Sequence, residues 1–264
     1  MLLGSVATTF ATPLGDELLA PAAPRPAPRS RPEIVPRPAI FTARSLVYGA
    51  RSADGRWIAT VEKGDDGDEL WLQHTGDSQE LPRLLWSSPV RIAAPAFSRD
   101  GSRLAFVDAR DDVKGDIWLF DLAAGNSEPR RLTGPEASDD APVFTIDGTS
   151  LVYQRQTPGM QSLNLVRLDY TTGKSRVLPV GIDAGFAAPA PDGFRWVLVS
   201  RKDDSGGDLW LWDEKSGVLE QLTSGPDRDL YPVWEPDGNI LFTRFGTATK
   251  GAAGQIFRLH LGRR

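Results

Sequence analysis

The chain has 264 residues, a net charge of −5, and an ordinary balance of 40% hydrophobic and 25% charged residues. This length suffices for a buried core in a single all-β domain. There are no cysteines, which excludes a disulfide scaffold, a thiolate metal site and a cysteine nucleophile. The acidic balance argues against a nucleic-acid binder. No apolar run of about 18 residues is present to cross a membrane.

The N-terminal part differs from the rest in composition. The first fifteen residues are small and apolar, and they fit either the tail of a secretory signal or anchor, or a disordered end. Seven prolines follow between Pro21 and Pro38, interleaved with arginines. Because proline fixes φ and lacks a backbone donor, this stretch predicts an extended linker that joins no ladder or helix. We therefore assign residues 1–38 to a flexible arm.

Charge also divides the chain. Residues 1–44 hold five arginines and three acids, so this part is basic and the body that follows carries −7. A solvated spacer accounts for the basic arm, and a docking arm for an acidic partner is the alternative.

Five Asp-Gly pairs organise the body. Successive aspartates are 46, 47, 45 and 45 residues apart, at Asp54, Asp100, Asp147, Asp192 and Asp237. A β-rich run follows each pair, and a second such run follows some 15 to 18 residues after each aspartate. Three repeats then close with a short segment: Arg131-Leu132-Thr133, Val177-Leu178-Pro179 and Gln221-Leu222-Thr223. Asp-Gly between apolar runs is a strong hairpin signal, so each repeat predicts a four-stranded antiparallel meander.

One meander cannot bury both of its faces, so neighbouring repeats must stack. Radial stacking of twisted four-stranded sheets gives a β-propeller, with a β-sandwich or an open solenoid as alternatives. We predict an all-β propeller of about five blades over residues 39–264. The repeats span about 45–92, 93–138, 139–183, 184–229 and 230–264.

The last repeat ends without a fourth strand. A propeller must pair its two ends to hide the sheet edges. We therefore expect Ala39–Ala43 to supply the outer strand of the last blade, so that residues 39–48 pair with it.

The repeat has the pattern P-x-[FW]-[ST]-x-D-G-x-x-[LI]-[AV]-[FY], followed by D-[IL]-W and then R-L-T. This pattern resembles the WD-like repeat of TolB-type propellers over about residues 45–264. The family has six-bladed rings, whereas five repeats are counted here. The resemblance implies a non-enzymatic, protein- or peptide-binding scaffold of the bacterial cell envelope, in the periplasm or otherwise extracytoplasmic. The same repeat occurs in propellers of prolyl oligopeptidase-like peptidases, so an accessory or substrate-gating propeller is an alternative. A glycan-acting propeller enzyme is another.

Acidic hairpins precede the third strand in three repeats, and similar blades would place these hairpins on one face of the ring. The candidate binding residues lie in and beside two of them: Arg110, Asp111, Asp112, Arg201, Asp203 and Asp204. They would form a docking rim for a protein or peptide, or their carboxylates would bind Ca²⁺. Turn chemistry alone also explains aspartates in hairpins. We expect no cofactor, with Ca²⁺ as the one open alternative.

Catalysis finds little support in the sequence. No G-x-S-x-G motif is present. His74 and His260 stand near strand ends and fit structural roles. Trp71, Trp118 and Trp210 share one register of the third strand, which predicts packing between blades, and Trp212 falls on the same strand face as Trp210. No catalytic residue is assigned.

Overall fold

The computed structural model describes residues 33–34, 46–76, 80–111, 115–124, 128–160, 162–202, 206–246 and 254–261. Every regular element within these ranges is a β-strand, and the strands form five four-stranded antiparallel sheets. The predicted five-bladed propeller is confirmed. The described residues contain no helix of the length and apolarity that a membrane crossing requires.

Strand β1 (Glu33–Ile34) comes first in the chain and belongs to the fifth blade. Blades one to three follow in chain order. Blade one comprises β2 (Leu46–Arg51), β3 (Trp57–Lys63), β4 (Asp68–His74) and β5 (Arg83–Ser88). Blade two comprises β6 (Ile92–Phe97), β7 (Arg103–Asp108), β8 (Asp116–Asp121) and β9 (Arg130–Arg131). Blade three comprises β10 (Ser138–Phe144), β11 (Ser150–Gln156), β12 (Leu163–Asp169) and β13 (Ser175–Val177).

Blade four comprises β14 (Gly185–Pro189), β15 (Arg195–Ser200), β16 (Asp208–Asp213) and β17 (Leu219–Gln221). Blade five comprises β18 (Arg228–Trp234), β19 (Ile240–Phe245), β20 (Gln255–Leu259) and β1. Blades one to four are plain meanders, in which every strand pairs with the one before it, whereas the outer strand of blade five is β1 from the N-terminal part of the chain. The first strand of each blade is innermost, and the five inner strands surround a central channel.

Each Asp-Gly pair lies in the turn between the first two strands of its blade, as the spacing predicts. In blade two, Asp100 accepts hydrogen bonds from the Ser98 hydroxyl at 2.6 Å and from the Ser102 backbone N–H at 3.0 Å. The Ser98 hydroxyl oxygen in turn accepts from the Arg103 N–H at 2.9 Å. Gly101 has φ +71°, which a side chain would strain. These contacts explain the serine or threonine two residues before the aspartate.

Apolar clusters join neighbouring blades. The cluster between blades one and two contains Val61, Leu70, Leu104 and Phe106. The cluster between blades two and three contains Val107, Ile117, Leu151 and Tyr153. Blades three and four share Val152, Leu165, Trp196 and Leu198, and blades four and five share Val197, Leu209, Ile240 and Phe242. Trp210 and Trp212 are buried on one strand face, while Trp71 and Trp118 are half-buried. Burial on both sheet faces is what makes the blades mutually dependent.

Buried aspartates explain the D-[IL]-W and R-L-T motifs. Asp116 and Asp208 start the third strands of blades two and four, and both are almost fully buried. Thr133 and Thr223, from the fourth-strand segments, accept the Ile117 and Leu209 N–H groups at 2.9 Å. Their hydroxyls also lie 3.2 and 3.5 Å from the two aspartates. Each motif pair therefore binds the third strand to the fourth.

The outer strand of the last blade was predicted wrongly. Glu33 and Ile34 supply it, pairing with Arg258 and Phe257 of β20, while Ala39–Ala43 lie outside the described residues. Residues 46–51 form the inner strand of blade one instead of pairing with blade five. The proline-rich segment therefore does join a ladder. The two paired residues lie between Pro32 and Pro36, so both keep the backbone N–H that a ladder uses.

We predict that the Asp-Gly turns make stability fall in acid. Hydrogen bonds from Ser98 and from Ser102 lower the pKa of Asp100 to about 2, against about 3.9 in an unfolded chain. A depressed folded-state pKa stabilises the protein above pH about 4, and this contribution is lost as the pH falls toward 2. Asp100→Asn should lower stability at pH 6 and flatten the dependence between pH 4 and 2.

Urea unfolding at each pH measures this effect. Asp66→Asn, in an exposed hairpin, controls for the loss of one negative charge. Parallel stability–pH curves for the parent and Asp100→Asn would contradict the assignment.

Candidate functional site

All five inner strands carry a β-bulge at nearly the same height. The pairing between the first two strands shifts after Leu46, Ala93, Asp140, Gly185 and Leu230. In blades two to five the shift leaves two residues out of the ladder, and in three of these blades the second residue is a proline: Pro95, Pro142 and Pro232. Because proline donates no hydrogen bond, the bulge costs the ladder little there.

The bulges hold four non-glycine residues in the left-handed region. Ala94, Ala141, Phe186 and Tyr231 have φ between 47° and 56°. Each stands six residues before the aspartate of its Asp-Gly turn, and Tyr48 takes that place in blade one. Such a conformation costs about 1–3 kcal/mol per residue and persists only where the surroundings impose it. Strain repeated around a channel marks this level of the ring as a candidate site.

A cavity of about 310 Å³ opens at this level of the channel. Every inner strand contributes to its wall, and most of the wall is apolar: Tyr48, Gly49, Ala94, Pro95, Ala141, Pro142, Phe186, Ala187, Tyr231, Pro232 and Val233. The volume lies in the range of small-ligand and peptide side-chain pockets. At the bulges, the Ala141 and Phe186 N–H groups leave the ladder and donate to side chains instead.

One side of the cavity is aromatic. The rings of Phe186 and Tyr231 meet edge to face with centroids 5.0 Å apart, and Phe245 follows Tyr231 at 6.5 Å. Tyr231 is 48% exposed despite its inner position. Burial of its phenol, followed by the nearby Tyr48 and Asp140, raises the pKa of Tyr231, so it stays a neutral hydroxyl at physiological pH. The wall therefore offers an apolar ring face and a hydroxyl donor together.

The opposite side carries an ion pair. Arg91 Nη2 lies 2.7 Å from Asp140 Oδ2, and both side chains are partly exposed. Burial works against the charge of Arg91, but Asp140 and the Tyr48 hydroxyl outweigh it and raise the pKa of Arg91. Asp140 also accepts the Ala141 N–H at 2.7 Å, which helps to hold the bulge. In blade four, the Phe186 N–H donates to Gln154 Oε1 at 3.1 Å.

Arg110, a predicted binding residue, is held between blades one and two by contacts within the protein. Its guanidinium donates to Asp108 at 2.8 Å and to the Ser87 carbonyl at 2.5 Å, and it lies 4.1 Å from the Trp86 ring centroid. Asp111 lies 3.4 Å from Arg131. These contacts hold Arg110 and Asp111 within the scaffold.

The other predicted residues do not extend this group. Asp112, Asp203 and Asp204 lie outside the described residues, and Arg201 is exposed just after β15. Arg201 and Arg110 do not occupy equivalent positions in their blades. Asp108 aligns with Ser200, so Lys202 stands where Arg110 stands. Its ammonium lies 5.2 Å from the Trp210 ring, as Arg110 lies 6.0 Å from the equivalent Trp118 ring.

The acidic hairpins open on the face of the ring where the inner strands begin. Hydrogen bonds show this placement directly: the Asp139 N–H donates to the Gly115 carbonyl and the Asp229 N–H to the Gly207 carbonyl, at 3.2 and 2.9 Å. Arg91 and Asp140 lie at this same end of the channel. The described ends of the predicted loops and the cavity therefore share one face.

The described residues show no metal-binding constellation. They contain no group of three or more His, Asp or Glu side chains placed to hold an ion, and Ca²⁺ binding by the hairpins stays a prediction. His74 packs edge-on against Trp57 at 4.8 Å, and His260 Nδ1 lies 3.0 Å from Asn239 Oδ1.

Solved structures with a similar fold support the TolB-like resemblance. TolB from Acinetobacter baumannii matches with a TM-score of 0.64 and 19% identity, over 81% of this chain and 54% of that one. A putative TolB from Agrobacterium tumefaciens matches with the same score and identity, over 79% and 73%. The chain has a TolB-like β-propeller fold.

Curated relatives agree with the TolB-like assignment. An uncharacterized protein of Agrobacterium fabrum is 27% identical over 200 residues, covering 71% of this chain and 66% of the relative. A TolB homolog of Chlorobium luteolum is 25% identical over 177 residues, covering 66% of this chain. The chain spans about two thirds of the first relative's length and 37% of the second's. No family model matches the chain.

Enzymes are also among the proteins that this chain is similar to. An oligogalacturonate lyase solved in complex with manganese matches with a TM-score of 0.59 and 16% identity. An uncharacterized peptidase of Bacillus subtilis is 24% identical over 213 residues. The match covers 29% of the length of that peptidase.

The aromatic channel residues were missed in the sequence. Their signal is an aromatic side chain six residues before the Asp-Gly aspartate in three of five repeats, at Tyr48, Phe186 and Tyr231. The alternation of side chains along a strand does not predict that this residue faces the channel, because the bulge shifts the register there.

We predict that glycine at a bulge stabilises the protein. Ala141 has φ +50°, which glycine adopts without the steric cost of a Cβ. Ala141→Gly should raise the free energy of unfolding by up to about 1 kcal/mol, since relieved strain exceeds the entropy that glycine adds to the unfolded chain. Chemical denaturation measures it. Ala105→Gly, at a buried position of β7 with ordinary φ, is the matched control and should destabilise. Equal losses for both variants would refute the strain.

Proposed function

We propose that this TolB-like propeller binds an extended peptide segment of a protein partner in the mouth of its central channel and catalyses no reaction on that peptide. The cavity that all five inner strands surround carries this proposal. It combines an aromatic wall, bulged inner strands and a half-exposed ion pair. An extended peptide presents apolar side chains and unpaired backbone groups, which these three features complement.

Tyr231 is the residue expected to contribute most to affinity. It is exposed, stacked edge-on against Phe186, and fixed by a strained backbone, so a ligand meets it already in place. Rigid, pre-positioned aromatic side chains are typical binding hot spots.

The partner is expected to be basic. The body carries −7 beyond residue 44, and the acidic hairpins lie on the face where the channel mouth opens. Such a field accelerates the approach of a positive segment, more at low salt than at high salt. The TolB-like fold and the resemblance of the repeat support an extracytoplasmic setting for this binding.

The similarity to the Bacillus subtilis peptidase supports one alternative, an accessory propeller that restricts access to a catalytic domain. A propeller of that kind passes peptides through its channel and holds none of them tightly. Affinity therefore separates the two functions, because the binding function requires a saturable site with a Kd well below millimolar.

We predict that a displayed peptide library yields ligands whose binding depends on Tyr231. Tyr231→Ala should weaken binding of a selected peptide by about tenfold or more, since an aromatic anchor contributes at least about 1.4 kcal/mol. Val177→Ala, on the exposed outer strand of blade three, is the matched control and should bind normally. Isothermal titration calorimetry gives both constants. The proposal would be contradicted if the selected peptides bound Tyr231→Ala with the parent affinity but bound the control variant more weakly.

A second prediction concerns the rate of association. Changing Asp111, Asp112, Asp203 and Asp204 together to Asn should slow association of a basic peptide at low salt and leave its dissociation rate unchanged. Surface plasmon resonance at several salt concentrations measures both rates. Calorimetry with Ca²⁺ alone, on the same variant, tests the metal alternative for these hairpins. An unchanged association rate would exclude steering by these loops.

A further inference from the structure

The last paired residue before each inner-strand bulge is charged in one blade only. Asp140 holds this position in blade three, and the ladder register places Leu46, Ala93, Gly185 and Leu230 there in the other blades. The fold therefore accepts a small or apolar residue at this position. A carboxylate that lines the channel cavity at the same place points to recognition of a ligand and not to a requirement of the fold.

The Asp140 carboxylate is held in place and can still accept a further hydrogen bond. Its Oδ2 accepts from Arg91 Nη2, and its Oδ1 accepts from the Ala141 N–H, both at 2.7 Å. A carboxylate offers about four acceptor positions, so these two bonds leave some of them for a ligand. The side chain of Asp140 is 26% exposed. The cavity wall thus contains a preoriented negative acceptor.

Aromatic rings line the same cavity beside this carboxylate. The ring planes of Phe186 and Tyr231 meet at 76°, so the two rings form adjacent walls and not a stack. Asp140 lies close enough to Tyr231 to help raise the pKa of its phenol. The neighbouring Phe245 already has a cation beside it, since the Arg228 guanidinium lies 5.4 Å from its ring centroid.

The rings of Phe186 and Tyr231 have no such cation of their own. Among the residues that the structure describes, no lysine or arginine lies over either ring. The face of an aromatic ring attracts a positive charge, most strongly where water is partly excluded. A half-open cavity with ring walls and one carboxylate is therefore complementary to a ligand cation.

We propose that the channel mouth anchors its peptide through a lysine side chain, whose ammonium binds Asp140 and lies against the ring of Tyr231. The methylene groups of this lysine contact the apolar wall that Ala94, Ala141 and Pro142 provide. Asp140 then determines the specificity of the site, while Tyr231 contributes affinity. This inference rests on the proposed peptide binding and names the side chain that the site recognises.

The geometry of Asp140 favours lysine over arginine. A guanidinium binds a carboxylate best as a fork, with one N–H on each oxygen, but Arg91 and the Ala141 N–H already take one position on each oxygen. A compact ammonium needs only one point of contact. An acidic side chain is disfavoured, because the body beyond residue 44 carries −7.

A double-mutant cycle tests the lysine anchor, with peptides selected from a random displayed library for binding that depends on Tyr231. We expect one lysine in such a peptide whose replacement by norleucine, which removes the charge, weakens binding to the parent protein about fivefold or more. Asp140→Asn should weaken binding of the lysine peptide by a similar factor and change binding of the norleucine peptide less than about twofold, because both changes remove the same interaction.

Asp66→Asn, in an exposed hairpin on the same face, is the matched control for the loss of one negative charge. It should bind both peptides within about twofold of the parent. Calorimetry gives the dissociation constants, and circular dichroism shows whether Asp140→Asn is folded. If it is not, the norleucine replacement measured on the parent protein decides the question, and unchanged affinity there would overturn the proposal.

Three results would count against the lysine anchor. Equal losses for both peptides with Asp140→Asn, or Tyr231-dependent peptides that contain no lysine, would overturn the anchor and leave peptide binding intact. Tighter binding of an acidic peptide to Asp140→Asn would assign the pocket to an anion held by Arg91. If no selected peptide depends on Tyr231, the proposed peptide binding fails, and the anchor fails with it.

Discussion

Every blade of this protein depends on its neighbours, because a four-stranded sheet has two faces and a repeat of about 45 residues cannot cover either of them alone. The strands alternate accordingly. In β15, Trp196 and Leu198 pack toward blade three, while Val197 and Val199 pack toward blade five. Burial on both sides explains why these strands are nearly continuous apolar runs.

The same arrangement produces the channel. Five inner strands converge on one axis, and their bulges turn backbone and side chains toward it at one level. The repeats differ there: blades two and three present alanine and proline, while blades one, four and five present Tyr48, Phe186 and Tyr231. A structurally regular ring thereby acquires one aromatic side, which gives a peptide a defined orientation.

The period of the Asp-Gly pairs was enough to predict five antiparallel blades, because each pair needs φ > 0 at a turn. Three of the five pairs also have a Ser or Thr two residues before the aspartate. The outer strand of blade five was missed because the prolines around Glu33 and Ile34 are typical of a linker. The sequence does contain a signal for this strand, since Ile34-Val35-Pro36 repeats the pattern of Val177-Leu178-Pro179. The channel wall was not predicted as a site, and binding by the hairpin residues stays a prediction. Charged hairpins are visible in a sequence, whereas the aim of Phe186 and Tyr231 depends on a bulge that only the assembled ladder defines.

Hydrogen–deuterium exchange with and without a selected peptide tests the central claim, that the bulged channel wall is the binding surface. The account predicts that the peptide slows exchange in the inner strands β10, β14 and β18, around Ala141, Phe186 and Tyr231. Exchange in the outer strands β9, β13 and β17 should stay unchanged. Slowed exchange confined to the outer strands, with none in the inner strands, would contradict the account.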